Sequence, residues 1–238
     1  SASGKQREYR AQPRKAPRLF PAEPAEQTDM TPPRIAIIIP HYNDPERLRK
    51  CLAALAPQTA GRADIETLVV DNNSTVDITP IQADFPQARF VVETEKGAAA
   101  ARNRGVDETE ATYLLFLDSD CIPTPNWVDT ATSLIQNAPT NGLADIVGGR
   151  VDTFDETPPP RSGAEAFETV FGFRQRWYIE DKNFSVTANI LTTRDVYKGV
   201  GPMLVGPPED VEWGQRAVAK GYRLAYADDL AVFHPTRQ

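Results

Sequence analysis

Two aspartates, Asp118 and Asp120, stand one residue apart directly after the apolar run 114–117. A run of this length, rich in Leu and Phe, predicts a buried β-strand. Because side chains two residues apart point to the same side of an extended chain, both carboxylates could face one site at the carboxyl end of that strand, where open α/β sheets bind ligands. Neighbouring carboxylates repel each other unless a cation or hydrogen-bond donors offset their charge. The pattern fits a hard divalent cation held together with substrate phosphates, and it fits a solvated Asp-rich turn equally well.

Three further polar clusters follow apolar stretches, at residues 40–43, 71–74 and 96–103. In a parallel sheet such strand ends lie along one edge and build one crevice. Their aromatic, amide and carboxylate groups suit a base and ribose, and their Arg and Lys side chains suit phosphate. The sequence has neither G-x-G-x-x-G after the first strand nor a G-x-x-x-x-G-K-[ST] loop. We therefore expect a nucleoside diphosphate to be bound by some other loop arrangement.

The elements that must position these clusters alternate along the chain, which predicts an α/β fold with a mostly parallel sheet and helices on both faces. Predicted strands cover 35–39, 67–70, 90–92, 113–117 and 186–191, and a final strand ends at His234. Predicted helices cover 45–57, 98–106 and 125–137, and another follows Glu209 and Asp210. Asp44 and Pro45 provide the N-cap and the first-turn proline of the first helix.

An aromatic-rich stretch lies between the two halves of this pattern. Phe167, Phe171 and Tyr178 fall on one helical face, at steps of four and seven residues. This spacing favours a helix packed on the sheet. The alternative is a surface that binds an acceptor, a membrane interface or a second subunit.

The overall composition sets the class of protein. A length of 238 residues suits one large α/β domain or two small ones. The net charge of -7 argues against a nucleic-acid partner. No apolar run approaches the roughly 18 residues of a membrane span, no signal-peptide core is visible, and two cysteines form no disulfide framework. These features predict a cytoplasmic protein, preceded at 1–33 by a disordered or loosely attached leader rich in Arg, Lys and Pro.

The polar clusters together resemble the successive motifs of family 2 glycosyltransferases. The segments that carry the resemblance are Ile37–Asn43, Val69–Ser74, Ala101–Asn103, Phe116–Asp120 and Glu209-Asp210, with Gly221-Tyr222 and His234 beyond them. The likeness runs from about Arg34 to Pro235. It implies a single GT-A domain at 34–238, with a Rossmann-like nucleotide-sugar-binding half at 34–125 and an acceptor-binding and catalytic-base half at 126–238. It also implies a nucleoside-diphosphate sugar donor, a divalent cation (Mn²⁺ or Mg²⁺) and inversion at the anomeric carbon.

The resemblance also implies roles for individual residues. The expected donor-binding residues are Pro40, Tyr42, Asn43, Asp71, Asn72, Lys96, Arg102, Asn103, Asp118 and Ser119. The expected metal ligands are Asp120, as the more direct one, with Asp118 and His234. Asp210 matches the catalytic base, and Glu209 and Trp177 are expected on the acceptor side. Three plainer interpretations stay open. Acids at 209–210 could complement a helix dipole, and Arg102 could pair with Asp107 or Glu108 on its own helix. His234 could be a strand-end histidine that binds no metal.

Two departures from the family pattern bear on the substrate. Asn72 stands where relatives that bind uridine often have a second Asp, so a UDP-sugar is favoured but dTDP- and GDP-sugars stay open. The Q-x-x-R-W motif of processive members is missing, which favours transfer of one sugar per encounter to a glycan or lipid-linked acceptor, in surface polysaccharide or glycolipid biosynthesis. Peripheral association with the inner membrane face and a homodimer are left open. The competing classes are a sugar nucleotidyltransferase and a catalytically silent nucleotide-sugar-binding protein.

Overall fold

The computed structural model describes residues 35–141, 144–206 and 208–236, so the predicted leader at 1–33 lies outside the described residues. The strands are β1 Ile35–His41, β2 Ile65–Asp71, β3 Ala88–Val92, β4 Tyr113–Leu117, β5 Ile122–Pro123, β6 Ile146–Phe154, β7 Asn189–Thr193 and β8 Leu224–Pro235. The helices are α1 Pro45–Thr59, α2 Thr79–Asp84, α3 Ala98–Asp107, α4 Trp127–Asn141, α5 Gly163–Phe171, α6 Gln175–Lys182, α7 Arg194–Val200 and α8 Glu209–Ala219.

All eight of these strands join one sheet, in the order β3-β2-β1-β4-β7-β6-β8-β5. Strands β3, β2, β1 and β4 run parallel, as do β6 and β8. The pairs β4–β7, β6–β7 and β5–β8 are antiparallel. The predicted α/β class with a mostly parallel sheet is confirmed. The carboxyl ends of β1, β2 and β4 meet at one edge, which is where the first-half polar clusters begin.

The sequence of β1 shows why helices cover both faces of the sheet. Its seven residues are all buried. Side chains alternate between the two faces of a strand, and Ile35, Ile37 and Ile39 accordingly belong to one apolar core, whereas Ala36 and Ile38 belong to another. A strand that is apolar on both sides can only be buried between two layers. The sheet is therefore the central layer, and its strand ends are left to carry the polar groups.

The single helix predicted across the aromatic stretch is wrong. Helix α5 ends at Phe171 and α6 begins only at Gln175, because Phe173 has a positive φ of 41° that a helix cannot accommodate. Phe167 and Tyr178 therefore lie on different helices, and Phe167 is 66% exposed instead of packed on the sheet. The side chain of Phe171 lies outside the described residues.

The predicted strand 186–191 is shifted, since β7 begins at Asn189 and extends to Thr193. The N–H of Val186 donates to Oε1 of Gln175 at 3.2 Å, so this residue is bound by a helix side chain and not by a neighbouring strand. Strand β6 and helices α2 and α7 were not predicted. The Gly148-Gly149 pair made the sequence of β6 unlike that of a typical strand. A side chain is excluded at Gly149, because a Cβ there would lie 2.2 Å from the carbonyl oxygen of Leu230.

Candidate active site

A cavity of about 250 Å³ lies at the carboxyl ends of β1, β2 and β4, beside the first turn of α3. The predicted site residues that line it are Pro40, Tyr42, Asn72, Arg102, Asp118, Ser119 and Asp120. His41, Asp44, Ala98 and Ala101 complete the wall. The structure thus brings together side chains that are separated by as many as 80 residues in the sequence. The two alanines offer no chemical signal, but their small side chains leave the cavity open at the start of α3.

The buried guanidinium of Arg102 joins this cavity to α8. Arg102 is 3% exposed, and its Nη2 and Nη1 donate to Oδ1 of Asp118 at 2.5 Å and to Oε1 of Glu209 at 2.9 Å. Burial alone would lower the pKa of Arg102, but the two carboxylates outweigh that effect and raise it, so the group stays charged. The alternative pairing with Asp107 or Glu108 on the helix surface is wrong. Arg102 instead fixes the start of α8 relative to the Asp118 carboxylate.

Asp120 faces the predicted metal ligand His234. Oδ2 of Asp120 lies 3.3 Å from Nε2 of His234, and Nδ1 of the same ring lies 2.7 Å from the carbonyl oxygen of Pro235. Because a carbonyl oxygen only accepts hydrogen bonds, Nδ1 carries a proton and donates it there. Burial raises the pKa of the Asp120 carboxyl; His234 opposes this shift and Asp118 adds to it. A carboxylate held in this way gains from a nearby cation.

These two side chains fit one side of a divalent metal site. A histidine whose first ring nitrogen donates to a backbone carbonyl presents the second nitrogen in a fixed direction, as in many metal sites. Within residues 35–141, 144–206 and 208–236, no group of three His, Cys, Asp or Glu side chains is arranged to hold an ion alone. Any cation here would need phosphate oxygens or water as further ligands, which is typical of Mg²⁺. A metal at Asp120 and His234 therefore stays a prediction.

The predicted donor residue Asp71 is buried, and protein groups contact both of its oxygens. The carboxylate accepts hydrogen bonds from Nδ1 of His41 at 2.9 Å and from the hydroxyl and N–H of Ser74 at 2.5 and 3.0 Å. The direction of the first bond is fixed, because Nε2 of His41 accepts from the N–H of Asp44 at 3.2 Å. Asp71 thus ties the ends of β1 and β2 together, and its contact with a donor stays a prediction.

The amides of Asn43 and Asn72 hold loops. Oδ1 of Asn43 accepts from the N–H of Thr75 at 2.7 Å. The amide of Asn72 donates to the carbonyl of Glu95 at 2.6 Å and accepts from the N–H of Gly97 at 2.8 Å. These bonds shape the cavity wall, and the reading of a base or ribose by either amide stays a prediction. The sequence motif singled out Asn43 and Asn72 but could not show which backbone groups their amides bind.

Asn103 and Lys96 are not among the residues that line the strand-end cavity. Nδ2 of Asn103 donates to the carbonyl oxygen of Met203 at 2.9 Å. Oδ1 of Asn103 accepts from the N–H of Met203 at 2.9 Å and from the hydroxyl of Tyr197 at 2.5 Å. Asn103 therefore anchors the segment that leads to α8. Lys96 is exposed on the loop before α3. Contacts of these two residues with the donor stay predictions.

Asp210 lies in the first turn of α8, next to the Glu209 carboxylate that Arg102 binds. Oδ1 of Asp210 accepts from the N–H of Val211 at 2.8 Å. Burial raises the pKa of Asp210; the Val211 N–H opposes this shift, and Glu209 adds to it. Asp210 itself is not among the residues that line the strand-end cavity, and it is linked to that cavity through Glu209 and Arg102. A partly buried carboxylate with a raised pKa is suited to accept a proton.

Trp177, predicted on the acceptor side, lies on α6 and is 39% exposed. Its ring is flanked by two cations: Cζ of Arg174 lies 5.0 Å from the ring centroid, and Nζ of Lys182 lies 4.7 Å from it. Phe173, between α5 and α6, packs against His234 with the two rings tilted by 48° and their centroids 4.6 Å apart. No local pattern in the sequence indicated this link between the aromatic segment and the Asp120–His234 pair.

Comparison with known proteins agrees with this arrangement. The pattern of Glycosyl transferase family 2 matches residues 36–201. Glycosyltransferase AglE of Haloferax volcanii is 35% identical over 217 residues, which cover 87% of this chain and 68% of that protein. A PGL/p-HBAD biosynthesis glycosyltransferase of Mycobacterium tuberculosis is 41% identical over 96 residues, 38% of this chain and 37% of that protein. The chain thus spans about a third to two thirds of these relatives.

Solved structures share the fold at low identity. S. aureus TarS 1-349 in complex with UDP has a TM-score of 0.65 and 18% identity, covering 85% of this chain and 60% of that one. The mannosyltransferase PcManGT from Pyrobaculum calidifontis, in complex with GDP-Man and Mn²⁺, has a TM-score of 0.64 and 16% identity, covering 86% and 57%. The fold and its strand-end cavity define a GT-A α/β domain. The chain belongs to glycosyltransferase family 2, as its motifs indicated.

None of the helices in the described part of the chain is both long enough and apolar enough to cross a bilayer. This finding does not test the predicted cytoplasmic location, which stays a prediction.

Proposed function

We propose that this chain is an inverting, metal-dependent glycosyltransferase that moves one hexosyl group from a nucleoside-diphosphate sugar to a hydroxyl of a glycan or lipid-linked acceptor. The observation that carries the proposal is the Arg102 bridge between Asp118 and Glu209. It fixes the first turn of α8, where Asp210 lies, beside a cavity built from strand ends. A donor site and a candidate base are thereby held in one rigid arrangement, as a displacement reaction requires.

In the proposed reaction, the acceptor oxygen bonds to the anomeric carbon of the donor while the bond from that carbon to the diphosphate oxygen breaks. Attack from the face opposite the leaving group inverts the configuration. The hydroxyl proton passes to the Asp210 carboxylate, whose raised pKa makes it a stronger base than an ordinary aspartate. A general base in reach of the hydroxyl contributes roughly 10²–10⁴-fold to the rate.

The donor would lie in the cavity, with its nucleoside toward Pro40 and Tyr42 and its diphosphate toward Asp118 and Asp120. Asp120 and His234, with Asp118 as a further candidate, would hold the Mn²⁺ or Mg²⁺ ion. When bound, such a cation neutralises the charge that gathers on the leaving diphosphate. The guanidinium of Arg102 adds a permanent positive charge next to Asp118, at 2.5 Å from its Oδ1.

The donor base is proposed as uridine, with thymidine and guanosine as alternatives. Relatives of this fold support the choice of nucleotide sugars but not of one base, since S. aureus TarS was solved with UDP-GlcNAc and PcManGT with GDP-Man. We propose a place in surface polysaccharide or glycolipid assembly, at the inner face of the membrane. Among the relatives, the Mycobacterium tuberculosis protein is named for PGL/p-HBAD biosynthesis.

Hydrolysis of a panel of nucleotide sugars tests the proposal. The chain is incubated with Mn²⁺ and UDP-glucose, UDP-GlcNAc, dTDP-rhamnose or GDP-mannose, and nucleoside diphosphate is measured. We expect slow release from one donor, and inversion seen by NMR once an acceptor is supplied. Formation of nucleoside triphosphate and sugar 1-phosphate when pyrophosphate is added, without release of nucleoside diphosphate, would identify a nucleotidyltransferase. Binding without release from any donor would identify a silent binding protein. Either result would contradict the proposal.

A further inference from the structure

A second groove, of about 360 Å³, lies between β6, β8 and α6. It is lined by Arg150, Val151, Asp152, Phe173, Arg174, Gln175, Arg176, Trp177 and Tyr226. Three arginines and a single acid share this surface, although the chain as a whole carries a net charge of -7. Such a local excess of guanidinium groups is unusual on an acidic protein and favours an anionic ligand.

The arginines of this groove are only loosely paired with protein carboxylates. Arg176 lies 3.6 Å from Glu180 and 3.7 Å from Asp228, and both partners are more than half exposed. Arg150 lies 3.4 Å from Asp152. These separations are longer than the 2.5 Å between Arg102 and Asp118 in the active site. Exposed ion pairs of this kind contribute little, so an added anion can compete for the guanidinium groups.

Aromatic rings hold two of the guanidinium groups in place. Cζ of Arg174 lies 5.0 Å from the centroid of Trp177, and Cζ of Arg176 lies 4.5 Å from that of Tyr226. Within the described residues Arg174 has no carboxylate partner. A guanidinium held over a ring keeps its N–H edge available for hydrogen bonds, and that edge matches two oxygens of a phosphate.

Phe173 connects this groove to the proposed reaction site. It lines the groove, and its ring lies 4.6 Å from that of His234, whose Nε2 faces Asp120. The groove shares no lining residue with the strand-end cavity assigned to the donor. A ligand in the groove would therefore lie outside the cavity assigned to the nucleotide and against the Phe173 ring that contacts His234. We assign this place to the acceptor.

We infer that the Arg174–Arg176 groove binds a phosphate or diphosphate group carried by the acceptor. This inference rests on the proposed function, since it assigns one chemical feature to the acceptor of that reaction. The phosphate accepts hydrogen bonds from the guanidinium edges of Arg174 and Arg176, and the exposed part of the Trp177 side chain contacts the adjoining sugar or chain. The neutral part of the acceptor makes no ion pair here.

Binding of dodecyl phosphate to the full chain, measured by isothermal titration calorimetry without donor, tests the inference. Dodecyl β-D-glucoside serves as the neutral counterpart and glucose 1-phosphate as the soluble phosphate. We expect dodecyl phosphate to bind, and Arg174→Ala to weaken it by about tenfold or more, as loss of a charge-assisted hydrogen bond predicts. Arg174→Lys should recover part of the affinity, and Arg49→Ala, which removes an exposed arginine of α1, should leave it unchanged.

The outcomes are distinct. Binding of both phosphates supports recognition of the phosphate itself, and binding of dodecyl phosphate alone supports a lipid-borne phosphate. Equal affinity for dodecyl phosphate and the glucoside would overturn the inference, as would an Arg174→Ala chain that binds dodecyl phosphate like the Arg49→Ala control. Because the titration needs neither donor nor turnover, a negative result here leaves the donor-hydrolysis test of the proposed function unaffected.

Discussion

Loss of the Arg102 guanidinium should destabilise the fold more than loss of any exposed arginine on the same helix. In Arg102→Met the side-chain stem is largely kept, but Asp118 and Glu209 lose the cation that lies between them. Breaking a buried ion pair by removing one partner costs about 3–5 kcal/mol. The Asp118 and Glu209 side chains are 27% and 28% exposed, so water can partly replace the lost contacts. We therefore expect a loss near the lower end, about 3 kcal/mol.

Urea unfolding followed by circular dichroism measures this loss, with Arg104→Met as the matched control. Arg104 lies two residues further along α3, is 43% exposed and pairs with Glu108 at 2.5 Å. Exposed pairs with this spacing contribute about 0.3–0.5 kcal/mol, so the control should stay within that range. Equal losses in the two variants would refute the idea that Arg102 holds α8 to the cavity.

A double-mutant cycle separates the charge effect from packing. Glu209→Gln removes one of the two carboxylates that Arg102→Met leaves without a cation. The double variant should therefore lose less free energy of unfolding than the two single losses together, by a coupling of about 1 kcal/mol or more. Additive losses would show that the Arg102–Glu209 ion pair contributes no coupling free energy to folding.

The remaining predictions concern the metal, the base and the segment before α8. Excess chelator should abolish transfer, and Mn²⁺ or Mg²⁺ should restore it. The His234→Gln variant should need a metal concentration about tenfold higher or more for the same activity. Full activity in excess chelator would contradict the metal site. Because the pKa of Asp210 is raised, this carboxylate becomes protonated at a higher pH than an ordinary aspartate does. As the pH is lowered, kcat/KM should therefore begin to fall at a pH above the ordinary aspartate range. A pH–rate profile without this fall would argue against Asp210 as the base. Asn103→Ala removes both hydrogen bonds with Met203 and should lower kcat more than it weakens donor binding. Asp107→Ala, on the same helix, should change neither quantity. Steady-state kinetics measure kcat and a donor titration measures binding, and equal kinetics in the two variants would contradict the anchoring role.

The fold was predictable where one local pattern decided the structure. The β-branched run at 35–39 and the Leu/Phe run at 113–117 are apolar on both faces, and such stretches have few options besides a buried strand. Strand β6 was hidden because Gly148 and Gly149 weaken a strand pattern. Glycine is needed at position 149 because Leu230 and Asn189 approach its backbone closely. Both residues are distant in the sequence, so the residues around Gly149 do not indicate them.

The site was predictable in its membership more than in its contacts. Motif order identified Arg102, Asp118 and Asp120, and these residues do meet at the strand-end cavity. Nothing local indicated that Arg102 would reach Glu209, which is 107 residues away in the sequence. Asn72 looks the same in sequence whether its amide binds a ligand or the backbone of the next loop. Partners that are distant in the sequence are set by the packing of whole elements.

Asp210→Asn tests the central claim most directly. The substitution keeps the size of the side chain and an oxygen for the Val211 N–H but removes the proton acceptor. Donor affinity is measured by calorimetry with the nucleotide sugar that the hydrolysis panel selects, and transfer is measured with the same donor. We predict donor affinity close to that of the native chain and transfer reduced by roughly 10²–10⁴-fold. Near-normal transfer by this variant would remove Asp210 from the role of base and contradict the proposed mechanism.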